Sequence, residues 1–240
     1  MRTLSRIAAL ALLAASTALA APKAATPAMA PAASNAPAPV KHLHFIYLVR
    51  HGMYTSDTLQ TDDRIGSPLN ALGHEQARLV GAKLASLPVH FRTFVSSDFT
   101  RARQTADDIG EVLHRTPERD SLIHECTPTA DLPDYMKNHT RDEIAWCDAN
   151  LNAAWAKYMT PSPDQDTADL LVCHGNVIRW FVAKTLGGDP AHWSHMDIGN
   201  CSITILAVRP DGVTRLVMYS SVDHIPIDQQ TWTGRGAGWK

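Results

Sequence analysis

The 240-residue sequence has no strong excess of acidic or basic residues. It also has no apolar run long enough for a convincing membrane span. Its formal net charge is −2, and it carries neither a basic patch nor a basic tail, which argues against nucleic acid or an anionic membrane as partner. No internal repeat is visible. The hydrophobic content of 45% is ordinary for a globular protein, and the length suffices for one sizeable core.

Motifs that bind structural metals are also missing. None of the four cysteines is in a Cys-x-x-Cys pair, and the twelve histidines are scattered without His-x-x-x-His on a predicted helix. We therefore predict no metal site. A domain of this size needs no disulfide, so we expect buried thiols, with one bridge as the alternative. The cysteines are Cys126, Cys147, Cys173 and Cys201.

The first 40 residues differ from the rest. Arg2 and Arg6 precede a short apolar run at residues 7–19, which ends in Ala-Leu-Ala before Ala21. This pattern predicts a signal peptide at residues 1–20, an alanine- and proline-rich linker at 21–40 and one domain at 41–240. We accordingly expect export, to the periplasm of a Gram-negative bacterium, with no stable membrane anchor after cleavage.

Short apolar strands alternate with amphipathic helices beyond residue 40. This order predicts an α/β fold, a three-layer sandwich with a mainly parallel central sheet and helices on both faces. A Pro-Asp-Gly turn at residues 210–212 predicts that the last two strands form an antiparallel hairpin. The predicted strands are at 45–49, 94–95, 170–173, 202–208 and 213–219, and the helices at 70–87, 100–113, 141–158 and 177–186.

Basic residues follow each of the first three predicted strands. Arg50 and His51 follow the first, Ser97 and Arg101 the second, and His174 the third. Considered singly, Arg101 would be interpreted as a solvated helix residue, and His174 as a core histidine that is hydrogen-bonded to the backbone. Because parallel strands bring their carboxyl ends to one edge, the repeated pattern instead predicts a site for a dianion such as phosphate.

Three motifs carry a family resemblance. They are Leu-Val-Arg50-His51-Gly52, then Ser-Ser-Asp-Phe-Thr-Arg101-Ala-Arg-Gln-Thr-Ala, then Val-Cys-His174-Gly-Asn176. In this order they resemble the histidine phosphatase, or phosphoglycerate mutase-like, superfamily over about residues 43–226. The mutase-like branch fits better, since the chain lacks the Arg-x-Pro that follows Arg-His-Gly in the acid phosphatase branch.

Within that branch the chain resembles the serine/threonine phosphatase subgroup known as phosphoglycerate mutase family member five. Asn176-Val-Ile-Arg179 and a Glu-x-x-Pro at 125–128 are shared features. Gly52 and Gly175 depart from it, because the subgroup has Ser and Ala there. The chain also shows no tryptophan–aspartate assembly motif, so the subgroup's oligomeric state is not carried over. We interpret the two glycines as letting a ligand approach the backbone closely.

The resemblance implies roles for the basic residues. His51 would attack phosphorus and form a phosphohistidine that water later hydrolyses. Arg50, Arg101 and His174 would bind the phosphoryl oxygens and stabilise charge during transfer, so that neither metal nor cofactor is required.

The general acid is assigned by family position to Glu125. An apolar pair precedes it, and partial burial would keep it protonated. From the residues alone Glu125 would be interpreted as a solvated loop glutamate, and only its family position reverses this; Asp131 and Asp134 are rivals. Tyr54, Asn176 and His224 are candidate substrate contacts, with packing as the other explanation for Tyr54.

These features predict a metal-independent phosphomonoesterase acting on a phosphorylated protein or a small phosphoester. The alternatives are an enzyme for small molecules or envelope glycans, a mutase that retains its phosphate on His51, and a catalytically silent phosphate-binding module. The last would be expected to have lost a nucleophile or an arginine, and both are present here.

Overall fold

The computed structural model of the protein describes residues 42–55 and 66–232. The predicted signal peptide and linker lie outside these residues. No helix in the described ranges is long and apolar enough to cross a membrane.

One six-stranded sheet forms the centre of the domain, with strand order β3-β2-β4-β1-β5-β6. Each adjacent pair among β1 to β4 is parallel. Strand β5 is antiparallel to both β1 and β6, and its pairing with β6 is the predicted hairpin. The mainly parallel α/β sheet predicted from the sequence is therefore confirmed. The strands are β1 His44–Arg50, β2 Phe91–Ser96, β3 Glu118–Arg119, β4 Thr167–Cys173, β5 Ile203–Val208 and β6 Thr214–Ser221.

Side-chain caps fix the starts of two long helices. The Asn70 side chain accepts a hydrogen bond from the backbone of Gly73, and Thr140 and Glu143 form a reciprocal capping box. The helices are α1 Ala71–Ala85, α2 Thr100–Leu113, α3 Pro133–Met136, α4 Arg141–Tyr158 and α5 Gly175–Thr185, with 3-10 helices at Ser121–Ile123, Pro190–His195 and Ile227–Gln229.

The core consists of two apolar layers, one on each face of the sheet. Ile46 and Leu48 of β1 point into the layer that contains α4 and α5, whereas Tyr47 and Val49 point into the layer with α1 and α2. Both faces are thus buried, which explains why the strands are continuously apolar rather than alternating. The predicted three-layer arrangement is confirmed.

The cysteines follow the predicted state only in part. Cys173 and Cys201 are buried thiols, but Cys126 and Cys147 form a disulfide. Our expectation of four thiols was wrong for this pair. The reason is tertiary, because the segment after the 3-10 helix Ser121–Ile123 packs against α4 and brings the two side chains together.

Candidate active site

His51 lies immediately after β1, and its backbone is held on both sides. Its amide donates to the Cys173 carbonyl at 2.9 Å, and its carbonyl accepts from Nδ2 of Asn200 at 3.0 Å. The imidazole Nδ1 lies 2.9 Å from the Gly52 carbonyl. Since a carbonyl can only accept, Nδ1 carries the proton in the neutral ring, and Nε2 carries a lone pair.

Two arginines surround this lone pair. Arg101 directs its Nε toward Nε2 of His51 at 3.4 Å, and its guanidinium lies over the ring of Tyr54 at 5.1 Å. Arg50 is buried and donates from Nη1 to the Ile198 carbonyl at 2.7 Å. Its Nε has no hydrogen-bond partner among the described residues. A buried cationic donor without a partner is costly, so this position favours an anion.

His174 is the residue before the first turn of α5 and is also buried. Its Nε2 lies 2.9 Å from Oγ of Ser97, and that oxygen already accepts the Phe99 amide at 3.2 Å. The Ser97 hydroxyl still has its own proton to donate, and we assign it to Nε2, which leaves the proton of the neutral ring on Nδ1. Within the described part of the chain, this Nδ1 has no partner. The rings of His51 and His174 are 5.2 Å apart.

The environment keeps both imidazoles uncharged. Burial, and then the charges of Arg50 and Arg101, lower the pKa of His51 well below its ordinary value. The pKa of His174 is lowered in the same way, by burial and then by Arg101. Burial also lowers the pKa of Arg50, to about 10, so its guanidinium is still charged at neutral pH. The result is a neutral imidazole nitrogen of His51 beside two guanidinium groups.

Glu125 completes the group from a different element, the segment after the 3-10 helix Ser121–Ile123. Its Oε1 lies 3.3 Å from the Asn176 amide in the first turn of α5. Burial raises the pKa of Glu125, and the charges of Arg101 and Arg50 only partly oppose this effect. A carboxyl group with a raised pKa at the edge of an anion site has the property that a proton donor needs.

The two rival carboxylates have other partners. Asp131 is exposed and accepts hydrogen bonds from Ser194 at 2.7 Å and His195 at 2.9 Å. Asp134 is exposed and pairs with Lys137 at 2.5 Å. Glu125, by contrast, lies next to both histidines. A carboxylate oxygen of Glu125 and one ring nitrogen each of His51 and His174 lie within 4.8 Å of one another.

This geometry could also ligate a cation, because two imidazoles and a carboxylate are common transition-metal ligands. The charged guanidinium groups of Arg50 and Arg101 act in the opposite direction. At such short range their repulsion disfavours a divalent cation and favours an anion.

The three candidate substrate contacts, Tyr54, Asn176 and His224, have different neighbours. The Tyr54 ring is 5.4 Å from the His51 ring, at the wall of the site. Asn176 directs its side-chain amide to the Cys126 carbonyl at 2.9 Å, so its amide group braces the segment of Glu125. His224 bonds the carbonyl of Cys201, whose own amide donates to the backbone of Arg50 and His51. His224 is thus linked to the end of β1 through the backbone of Cys201.

Sequence reasoning missed the support given by Arg179 and Thr105. Arg179 is buried and donates from Nη2 to the Asn176 side chain at 2.6 Å and from Nη1 to the Met196 carbonyl at 2.8 Å. A charged residue inside the apolar stretch Val-Ile-Arg-Trp-Phe-Val was the available signal. Thr105 accepts from the Gly52 amide at 3.0 Å, and nothing in its local sequence indicates this contact.

Gly52 has a packing role that was not predicted. A Cβ at this position would lie 2.5 Å from the Gly73 carbonyl oxygen. The glycine is thus required by the close approach of α1 to the chain after β1, a reason that our interpretation of close ligand approach did not include.

Comparison with solved structures gives the same fold. A phosphoglycerate mutase from Plasmodium falciparum superposes with a TM-score of 0.53 at 26% identity, covering 77% of this chain and 95% of the other. A mycobacterial glucosyl-3-phosphoglycerate phosphatase superposes with a TM-score of 0.56 at 21% identity, covering 75% and 100%. The predicted phosphoglycerate mutase-like fold is confirmed.

Among characterised proteins, the chain is similar to mitochondrial serine/threonine-protein phosphatases named PGAM5. The protein of Caenorhabditis briggsae is 34% identical over 194 residues, which are 78% of this chain and 66% of that protein. The human protein is 33% identical over 198 residues, or 80% and 67%. The chain thus spans about two thirds of the length of these relatives.

The mitochondrial relatives contradict our prediction of a signal peptide and of export to a periplasm. The prediction rested on a basic, alanine-rich start with a short apolar run. Different targeting segments share several of these features, and receptors distinguish between them. Composition alone therefore did not identify the compartment.

A family model also matches most of the domain. The model of the histidine phosphatase superfamily (branch 1) aligns to residues 46–157 and 148–221, which include all three motifs at the strand ends. The chain belongs to the histidine phosphatase superfamily, branch 1.

Proposed function

We propose that this protein is a metal-independent phosphatase that hydrolyses phosphate monoesters through a phosphohistidine on His51. One observation carries the proposal. The lone pair of His51 Nε2 lies in a group of side chains in which two buried nitrogens, Arg50 Nε and His174 Nδ1, have no hydrogen-bond partner among the described residues. Phosphoryl oxygens would satisfy both donors while phosphorus lies next to the nucleophile.

In the first step, the Nε2 lone pair forms a bond to phosphorus as the bond from phosphorus to the ester oxygen breaks. Arg50 and Arg101 stabilise the charge on the transferring oxygens. The leaving oxygen takes its proton from Glu125, whose raised pKa favours the protonated carboxyl. The products of this step are the free alcohol, a phosphohistidine and an ionised Glu125.

In the second step, the ionised Glu125 accepts a proton from water as the water oxygen attacks phosphorus. The bond between phosphorus and Nε2 breaks, the lone pair returns to His51, and inorganic phosphate leaves. Each group ends in its starting protonation state, so the cycle needs no metal and no redox partner.

For the substrate we propose phosphoserine or phosphothreonine in a protein. The relatives at 33–34% identity are named serine/threonine-protein phosphatases, which favours this class over small phosphoesters. The half-buried Glu125 borders the surface, which supports a leaving group that is part of a larger molecule.

The test compares the full chain with His51→Ala on p-nitrophenyl phosphate in excess chelator. We expect the variant to lose at least about a thousandfold in kcat/KM, because the covalent route is removed. Replacement of His192, an exposed histidine, by alanine serves as the matched control and should retain wild-type activity.

The intermediate is captured by mixing with radiolabelled substrate and quenching in alkaline denaturant, because the nitrogen–phosphorus bond is labile in acid. Label bound to wild type and missing from His51→Ala is the expected result. Equal turnover by wild type and His51→Ala would overturn the proposed mechanism. Phosphate binding without turnover by wild type would instead identify a silent binding module.

A further inference from the structure

A cavity apart from the histidines and arginines of the candidate site borders Glu125. Its volume is about 250 Å³, and its wall includes Glu125, His139, Glu143 and Trp146. The cavity lies between the segment after the 3-10 helix Ser121–Ile123 and the first turns of α4. None of these residues except Glu125 takes part in the proposed reaction. Because Glu125 belongs to both sites, the part of a substrate attached to the leaving oxygen would lie next to this cavity.

The cavity has a charge opposite to that of the phosphate site. Glu143 presents a carboxylate that accepts the Thr140 amide at 2.7 Å and its hydroxyl at 3.0 Å. Those hydrogen bonds lower the pKa of Glu143, so it is ionised at neutral pH. A second anionic group of a substrate would be repelled here, whereas a cation would be attracted.

Trp146 adds an aromatic surface beside that carboxylate. Its side chain is 54% exposed, although large apolar side chains of α4 such as Leu151 and Tyr158 are buried in the core. The face of an indole ring attracts a guanidinium or an ammonium group, and a nearby carboxylate adds an ion pair. His139 lines the same cavity and adds an imidazole ring to its wall.

We propose that this cavity binds a basic side chain, arginine or lysine, close to the phosphorylated residue of a peptide substrate. The inference rests on the proposed function and deepens it, because it gives the leaving group a chemical identity. Trp146 and Glu143 are then specificity-determining residues, and Glu125 connects their cavity to the reaction.

The test uses phosphothreonine peptides in which arginine, alanine or glutamate is placed at each of two positions on either side of the phosphorylated residue. Phosphate release by the full chain gives kcat/KM for each peptide. We expect arginine at one position or more to be preferred over glutamate by about tenfold, the combined effect of one cation–π contact and one exposed ion pair. Equal rates for arginine and glutamate at all four positions would overturn the proposal.

Two variants assign the preference to the cavity. Glu143→Gln removes the charge but keeps the capping box, in which glutamine replaces glutamate well, so the helix start is preserved. Trp146→Ala removes the exposed ring. Each should reduce the preference for arginine several-fold, whereas Glu111→Gln, an exposed position on α2, should leave it unchanged. A preference that survives in both cavity variants contradicts the proposal.

Failure of this inference and failure of the proposed function give different results. If wild type hydrolyses p-nitrophenyl phosphate but shows equal kcat/KM for the arginine and glutamate peptides, the phosphatase proposal stands and the cavity proposal falls. If no ester is hydrolysed, binding of the fluorescently labelled arginine and glutamate phosphopeptides is compared by anisotropy. Tighter binding of the arginine peptide, lost in Trp146→Ala, then supports the cavity, and equal affinities overturn it.

Discussion

At the scale of single residues, the proposed reaction depends on which groups carry protons. His51 must be neutral and Glu125 protonated when the phosphoester binds. The pKa of His51 is lowered, so protonation removes activity only well below pH 6.5, its ordinary value. The pKa of Glu125 is raised, so its ionisation removes activity only above its ordinary value of about 4.3.

We therefore expect a bell-shaped pH profile of kcat/KM whose alkaline limb belongs to Glu125. Glu125→Gln should lower the maximum by about a hundredfold and abolish that limb, because glutamine does not titrate. Steady-state rates on one substrate for both proteins are the measurement, since the ionisation of the substrate then cancels. An alkaline limb that persists unchanged in Glu125→Gln would assign it to another group, and Glu111→Gln should retain both limbs.

At the scale of elements, the site is assembled where parallel strands end and helices begin. The carboxyl ends of β1, β2 and β4 supply His51, Ser97 and His174, and the start of α5 supplies the Asn176 amide. Glu125 comes from no strand end. Its segment is fixed to α4 by the Cys126–Cys147 disulfide, which gives this bridge a stabilising role next to the site.

We expect reduction of that disulfide to lower the free energy of unfolding by about 3 kcal/mol, since it closes a loop of 21 residues. Denaturant unfolding with and without a dithiol reductant is the measurement. The double variant Cys126→Ala, Cys147→Ala is the control, because reductant should not change its stability. Thiol titration of the denatured, unreduced chain should find two free thiols, and four would show that the bridge is missing.

At the scale of the whole molecule, a second charged group joins the central strands at the end opposite the site. Asp169 of β4 is buried and lies 2.8 Å from Nε2 of His44 in β1 and 2.6 Å from Nη2 of Arg92 in β2. Burial would raise the pKa of Asp169, but hydrogen bonds from His44 and Arg92 outweigh burial and hold it far below its ordinary range.

We expect Asp169→Asn to lower the free energy of unfolding by about 1.5–3 kcal/mol at pH 7, because it removes the charge from buried hydrogen bonds to His44 and to Arg92, whose own side chain is half exposed. A carboxylate with a lowered folded-state pKa stabilises the fold above its unfolded value, about 3.9, and this stabilisation is lost as pH falls further. The difference between wild type and variant should therefore shrink below about pH 4.

Denaturant titrations at pH 7 and pH 3 provide the measurement. Asp107→Asn is the matched control, because Asp107 pairs with Arg119 at the surface and should contribute less than about 1 kcal/mol. A difference between wild type and Asp169→Asn that does not change with pH would contradict the role of the Asp169 charge.

The sequence by itself determined the layers of the fold and most residues of the candidate site. Periodicity identified α2 and α4 at their observed bounds, and the abrupt change from apolar strand to basic residue located Arg50, His51 and His174. These signals are local, because a strand buried on both faces must be continuously apolar and must leave its charges at its end.

Only the tertiary structure decided the rest. The two-residue strand β3 has no periodicity to detect, and the pairing of Cys126 with Cys147 depends on how a segment packs against α4. The proton positions on His51 and His174 are set by the Gly52 carbonyl and by Ser97. A side chain's protonation and partners depend on distances between elements far apart in the chain, and spacing along the sequence does not contain those distances.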